Sequence, residues 1–447
     1  MIPYSGNLSV ITQEVEMKIL FDKANILFHD GSSLGEAYLV TDGKKISSIS
    51  KKRPEGEFDR IIDCSKKMLA PGLYNCHSHS PMSIFRGYGE NLPLDRWLSE
   101  KIWPAEDKLT DSDVYLGSML SIAEMIKNGI VSFSDMYFFS ETTVKTVIDS
   151  GIKANIGRCI TTFDNNIAAE TDSRFKEGVA LHKMYHGAAD GRVLIDMSIH
   201  AEYTTVANTC RYASNYAAEN GIGMQIHLSE TAKEHAEGIA RRNGLTPTEF
   251  FLENGVFRAN TTAAHCVHVS DNDIKILSEN SVSVAHNPAS NLKLGSGIMP
   301  FAKLVDAGVN VTLGTDGSAS NNTLDIMKEA YLAALLQKGT TGDTAKFGSG
   351  IFISMATVNG AKAQGRTGAG IIAEGAPADI ILIDLDAINT IPHFNLADTF
   401  LFSANSSNVC MTMVDGNILY ENGLLLTIDE EKLKFDFSKM IKDFYNR

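Results

Sequence analysis

The stretch LYNCHSH, residues 73–79, is a short apolar run that stops on two histidines one residue apart. Strand side chains alternate, so His77 and His79 face the same side. Seven more short apolar runs follow, stopping at Ser134, Gly157, His200, His227, Ala264, Ala285 and Gly314. Each is followed by a stretch with helical character, clearest at Asp111–Asn128, Val206–Asn220, Ser270–Asn280 and Leu324–Leu336. In Ser270–Asn280 the serine opens as a cap, and Ile274 and Leu277 share one face. Eight strand–helix repeats in roughly 300 residues predict a (β/α)8 barrel of the TIM type. An open doubly wound sheet would carry a glycine-rich phosphate loop after its first strand, and LYNCHSH has none.

Outside this region the pattern is that of hairpins. From Met17 to Ile62, apolar runs are broken by Asp30-Gly31 and Asp42-Gly43, and the same pattern returns in ADIILIDLD (378–386) and VCMTMVDGNILYENG (409–423). Asp-Gly and Asn-Gly between apolar runs are hairpin signals. We therefore expect residues 1–70 and 371–447 to pair into one small β-sandwich domain, flanking a barrel over residues 71–370. GSSLG at 31–35 matches a nucleophile pattern, but it lies in a hairpin rather than on a strand-to-helix elbow and is read as chance.

The 447 residues are 44% apolar and 21% charged, with a net charge of −14. That is ordinary globular composition, and it excludes a largely disordered or fibrous chain. An acidic chain without a Lys/Arg cluster is a poor partner for nucleic acid or an anionic membrane. The six cysteines form no C-x-x-C, so neither a thiolate metal site nor a disulfide framework is expected. Met1–Glu16 carries no Lys or Arg and does not read as a signal peptide. No apolar run is long enough to span a bilayer. The expectation is a soluble, cytoplasmic protein.

The strand ends carry the chemistry. In a barrel of this type they converge on one mouth. There His77, His79, His227 and Asp316 would offer three imidazole nitrogens and one carboxylate, a set suited to Zn²⁺ or Fe²⁺ with a position left for water. Such an ion lowers the pKa of bound water to about 7. His200, rather than a bridging lysine, ends the fourth strand, which favours one metal over two. His265 ends the sixth strand. Glu230 lies three residues past His227; it is either a general acid/base over the same mouth or an N-terminal residue complementing the dipole of the following helix.

Several blocks together resemble the zinc-dependent nucleoside deaminase branch of the amidohydrolase superfamily. They are APGLYNCHSHSPMSIFRGYGENLPLDRWLSEKIWPAED, GMQIHLSET, AHCVHVS, VAHNPASNLKLGSGIMP and LGTDGSASNNTLDI, and they are similar to blocks of the 5-methylthioadenosine/S-adenosylhomocysteine deaminase family. The resemblance spans nearly the whole chain. It implies one zinc per subunit on His77, His79, His227 and Asp316. It implies Glu106 on the ribose hydroxyls, His200 on the purine and Glu230 facing N1. Arg158 matches a substrate-binding arginine. Arg174 aligns less securely with an arginine that contacts an amino-acid carboxylate from a neighbouring subunit, which would require a homo-oligomer, a dimer or tetramer. The implied reaction adds water at C6 of an adenosine-type nucleoside: Asp316 takes the water proton, Glu230 protonates N1, His265 steadies the attacking oxygen, and ammonia leaves.

The chain departs from the family at His200-Ala201-Glu202-Tyr203, where a proline usually precedes the tyrosine, and at His268, where an aromatic is common. The departure at Glu202 leaves the preferred 5′ substituent open. Two other readings stand beside this one: a guanine, oxidised-purine or triazine hydrolase on the same barrel, and a catalytically inactive scaffold. Retention of the whole ligand set together with Glu230 speaks against the second.

Overall fold

Apolar runs of two to ten residues, bounded by turns, become the strands of two sheets in the computed structural model, which describes residues 17–163 and 171–447. The expectation for Met1–Glu16 falls outside these residues.

The first sheet comes from both ends of the chain. Its strands are β1 (Lys18–Leu27), β2 (Ser33–Asp42), β3 (Lys45–Ser50), β4 (Arg60–Asp63) and β5 (Lys67–Pro71) from the N-terminal part. The barrel strands β6–β13 intervene, and β14 (Ile380–Asp384), β15 (Val409–Val414), β16 (Asn417–Glu421) and β17 (Leu424–Leu425) complete it. The order is β17-β16-β15-β14-β5-β1-β2-β3, with β4 pairing β1. The two halves of the chain meet where β5 runs antiparallel to β14, with Leu69 opposite Leu382. Asp415-Gly416 and Asn422-Gly423 turn the last hairpins with positive φ at both residues, the conformation that two-residue hairpin loops require. Phe21, Leu39, Ile46, Leu382 and Met413 fill this sheet's own core.

The second sheet is the barrel, with strands β6 (Leu73–Ser78), β7 (Ile130–Tyr137), β8 (Lys153–Ile160), β9 (Val193–Ile199), β10 (Met224–Leu228), β11 (Thr261–His265), β12 (Ser283–His286) and β13 (Asn310–Leu313). All neighbouring pairs are parallel and follow chain order. Every residue of β6, β7, β10, β11 and β12 is buried, as a parallel sheet covered on both faces requires. The expected helices are present as Asp111–Lys127, Ala207–Asn220, Asp271–Glu279 and Ile326–Thr341. Ser270 caps the third, accepting from the Asp273 amide at 3.1 Å.

The barrel is nearly closed, and its seam lies between β13 and β6. Asp316 N donates to His77 O at 2.9 Å across it. The Asn75 side chain adds two bonds to Thr315, 3.0 Å from its backbone amide and 2.7 Å from its hydroxyl. A Cβ on Gly314 would stand 2.3 Å from Asn287 Oδ1 and 2.8 Å from His77 Cβ, so only glycine lets the strands approach here.

Residues 80–109, after β6, fold over one end of the barrel as short helical turns. Trp97, Ile102, Ala105 and Leu109 pack with Met82 and Phe85 and with Met440 and Phe444 of the C-terminal helix Glu430–Tyr445. That helix leaves the terminal sheet to brace the roof of the barrel mouth. Among the described residues, no helix is long and apolar enough to cross a membrane.

Candidate active site

The carboxyl ends of the barrel strands surround a cavity of about 690 Å³ roofed by residues 94–106. His77 and His79 enter from β6, His200 directly after β9, His227 from β10, His265 from the end of β11, and Asp316 three residues past β13. His265 and Asp316 hold left-handed backbone conformations, with φ of 73° and 61°. Such conformations are costly for residues with a Cβ and cluster where a side chain must be aimed. Gly317 N secures Asp316 by donating to its Oδ1 at 2.8 Å.

These side chains meet. His79 Nε2 lies 3.1 Å from Asp316 Oδ1, His77 Nε2 lies 3.5 Å from the same oxygen, and His227 Nε2 lies 3.4 Å from His79 Nε2. His77, His79 and His227 offer ligand atoms within 4.8 Å of one another, and so do His77, His265 and Asp316. His77 Nε2 is buried and has no hydrogen-bond partner. A buried donor or acceptor left unmatched is costly unless something else engages it.

The far side of each ring explains its aim. His227 Nδ1 bonds His200 O at 2.7 Å, and His79 Nδ1 bonds Met136 O. A backbone carbonyl takes an N–H, so in both rings Nε2 carries the lone pair turned to the cavity, the tautomer a metal ligand needs. Ser290 Oγ and Ser320 Oγ each donate to Asp316 Oδ2 at 2.7 Å, leaving Oδ1 to face the histidines.

Burial dominates the electrostatics. It brings His77 down to about 4 and His200 to about 3, and holds His227 well below its ordinary value, so all three are neutral at pH 7. Burial opposes charge on His79 too, but the adjacent Asp316 carboxylate outweighs it and raises that ring to about 9. Burial would raise Asp316, yet the His77 and His79 rings against it keep it well below the usual carboxylate range. A cation between these groups would take the place of the proton on His79, and the set would then offer three imidazoles and an anion, which fits a single divalent ion.

Glu230 is 6% exposed and lines the same cavity, its Oε2 3.8 Å from His265 Nε2. Burial raises its pKa. Ser296 Oγ donates to its Oε1 at 2.9 Å. The following helix, Ala232–Arg241, is capped by Thr231 and Glu234 in a reciprocal box. Glu230 is therefore not needed as a cap, and its carboxyl is left for the cavity. Glu106 also lines the cavity and accepts from Tyr137 Oη at 2.6 Å. His200 lines it too, with Nδ1 2.9 Å from Thr204 Oγ1.

Two of the expected substrate-binding side chains are not among the described residues that line the cavity. Alternation along β8 turns Cys159 to the cavity and Arg158 to the other face, where its Nε donates to Glu177 at 2.7 Å and its guanidinium lies 5.5 Å over the ring of Phe138, a lining residue. Arg174 stops one side chain short of the cavity. Its Nε donates to Asp172 at 3.1 Å, and its guanidinium reaches Thr161, a lining residue, at 3.3 Å. Glu202 faces away from the cavity as well. It is fully buried and held by Arg241 and Arg242.

The sequence reading missed Tyr137, Ser290, Ser320 and Ser296. Tyr137 ends a barrel strand, which was the available signal. The serines sit in short turns, where nothing in the spacing separates them from other serines. His268, read as structural, bonds Ser296 O at 2.7 Å and so braces the residue that holds Glu230.

A sequence model of the Amidohydrolase family matches residues 68–419. The chain is 43% identical over 423 residues to a 5-methylthioadenosine/S-adenosylhomocysteine deaminase of Dictyoglomus thermophilum, covering 95% of this chain and 98% of that one. It is 40% identical over 404 residues to a 5'-deoxyadenosine deaminase of Methanosarcina acetivorans, covering 90% and 92%. Among solved structures, an adenosine deaminase from Xanthomonas campestris with bound zinc superposes with a TM-score of 0.91 at 28% identity, covering 96% and 99%.

Proposed function

The chain belongs to the amidohydrolase family, and from that premise we propose a zinc-dependent hydrolytic deaminase that converts an adenosine-type nucleoside to its inosine analogue and ammonia. The observation that carries this reading is the convergence of His77, His79, His227 and Asp316 at one end of a cavity that also holds a buried Glu230. Relatives named as deaminases of adenosine-type nucleosides support the substrate class, and a zinc-bound structural neighbour supports the choice of ion.

The residues divide the work. His77, His79, His227 and Asp316 would hold the ion, which when bound would lower the pKa of its water from 15.7 to about 7. Asp316 accepts the proton from that water; the two serine hydroxyls on Oδ2 orient the carboxylate for it. Glu230, whose burial favours the protonated carboxyl, gives a proton to N1 of the purine, so negative charge does not build up on the ring. His265, its Nδ1 held 2.8 Å from Asn291 Oδ1, turns Nε2 toward the oxygen that adds at C6 and steadies it. The proton on Asp316 then goes to the leaving amine, and as ammonia departs the hydroxyl proton left at C6 returns to Glu230, giving the C6 carbonyl. His200 faces the purine, and Glu106, fixed by Tyr137, receives the ribose hydroxyls. The closed roof keeps bulk water from competing.

Chelation tests the reading. Ammonia release from adenosine should cease on metal removal and return with zinc, with guanine inert in the same assay. Undiminished release by protein verified to be metal-free, or release from guanine alone, would contradict it.

A further inference from the structure

Glu202 is a fully buried carboxylate that stands outside the cavity. It opens the one-turn helix Glu202–Thr204, directly after His200 and Ala201. Its oxygens meet the end of helix Ala232–Arg241. Arg241 Nη2 donates to Oε2 at 2.7 Å and Arg241 Nε to Oε1 at 3.2 Å, and Arg242 Nε donates to Oε1 as well. Arg242 Nη2 also grips the backbone of the loop, donating to Glu202 O at 3.0 Å and Thr205 O at 2.8 Å, while its guanidinium lies 4.0 Å over the ring of Phe250. Gly238 leaves room for the carboxylate: a Cβ there would stand 3.1 Å from Glu202 Oε2 and 3.0 Å from Pro247 Cγ. Glycine is a poor helix former, so its place inside this helix goes with the groups it admits.

The grip joins two elements with different tasks. The loop carries His200, Tyr203 and Thr204, which all line the cavity. Thr204 Oγ1 lies 2.9 Å from His200 Nδ1 and accepts from Ala201 N at 3.1 Å, so the His200 ring moves with the loop. The helix starts two residues past Glu230, which is held separately: Glu234 Oε2 accepts from its amide at 2.8 Å, and Ser296 Oγ donates to its carboxyl. Position 202 is also where this chain departs from its family's usual proline. A proline restrains a loop through its fixed φ. The glutamate gives up that restraint, and two arginines supply a charged one in its place.

We infer that Glu202 is a positioning residue: through Arg241 and Arg242 it fixes the loop bearing His200 on the helix that follows Glu230, and so holds the purine in line with its proton donor. This rests on the deaminase reading above, in which His200 faces the purine and Glu230 faces N1. Both groups must meet one planar ring at once, and a misplacement of about 1 Å can cost up to about 10²-fold in rate. Charge-assisted bonds made in pairs resist such a shift better than a single neutral bond.

Glu202→Gln keeps the shape of the side chain and removes its charge. The measurement is kcat/KM by ammonia release, per folded and zinc-loaded chain, on the best substrate among adenosine, 5′-deoxyadenosine and 5′-methylthioadenosine. It is made in the wild-type and in the His200→Ala background. The substitution should lower kcat/KM by about tenfold or more in the wild-type background. Where the ring that Glu202 positions is gone, the loss should be no more than about twofold. A merely structural role would lower both backgrounds by the same factor. That result, or an unchanged kcat/KM in the wild-type background, would overturn the inference. Should Glu202→Gln not fold, Arg241→Ala removes the more exposed arm of the grip and leaves Arg242 on Glu202. A loss confined to the wild-type background is then expected, and an equal loss in both, or none, would overturn the inference. Wild-type protein inactive on all three nucleosides would overturn the deaminase reading, and the inference with it.

Discussion

Glu230 is the residue on which the proposed chemistry turns. Its environment is built for a neutral carboxyl: burial disfavours the charged form, and a single hydroxyl, that of Ser296, is its nearest donor. Glu230→Gln preserves the shape and the acceptor for Ser296 while removing the transferable proton. Turnover should fall by roughly 10²-fold or more, as for a lost general acid. Zinc content and nucleoside affinity should be retained, as read by metal analysis and equilibrium binding. Wild-type kcat in this variant would rule out the assigned role. The residue scale also shows what the sequence could not disclose. His77, His79, His227 and Asp316 were legible because metal chemistry restricts ligand types and barrel topology restricts where they stand. The direction in which Arg158 points was not, since a family match fixes a position in the chain and not which face of a strand it occupies.

At the scale of elements, the site depends on the short turns after β12 and β13. Helix Pro288–Lys293 carries Ser290, helix Ser318–Asn321 carries Ser320, and both serines donate to Asp316. Glu329, from helix Ile326–Thr341, ties these turns together: it accepts from Ala289 N at 3.0 Å and from Asn321 Nδ2 at 2.8 Å. Burial raises its carboxyl from 4.5 to about 7. The folded state therefore binds this proton more tightly than the unfolded chain. The stability it contributes is complete below pH 4.5 and is lost as pH rises toward about 7. Glu329→Gln lacks that titration, so its urea midpoint should rise relative to wild type across this window. Parallel midpoint curves would show that Glu329 does not titrate there. The strands, the larger helices and the Ser270 cap were legible from period and capping residues. This tie was not, because it joins elements whose packing no local pattern encodes.

At the scale of the whole molecule, the fold was legible in outline. Hairpin signals at both ends forecast a shared sheet, and eight strand–helix repeats forecast the barrel. The roof was not. Residues 94–106 form several short turns without a sustained period, and the C-terminal helix that braces them comes from the far end of the chain. Lys153 of β8 also joins the two sheets, bonding Asp379 at 2.6 Å and Asp415 at 2.7 Å beneath the barrel. These long-range connections hold two strand ends and a loop in register for one ion. Anomalous diffraction at the zinc edge from crystals of zinc-loaded protein tests that claim most directly. The account predicts one peak per chain, at ~2.0–2.2 Å from a nitrogen of each of His77, His79 and His227 and an oxygen of Asp316. No peak there, or two metals in the cavity, would contradict it.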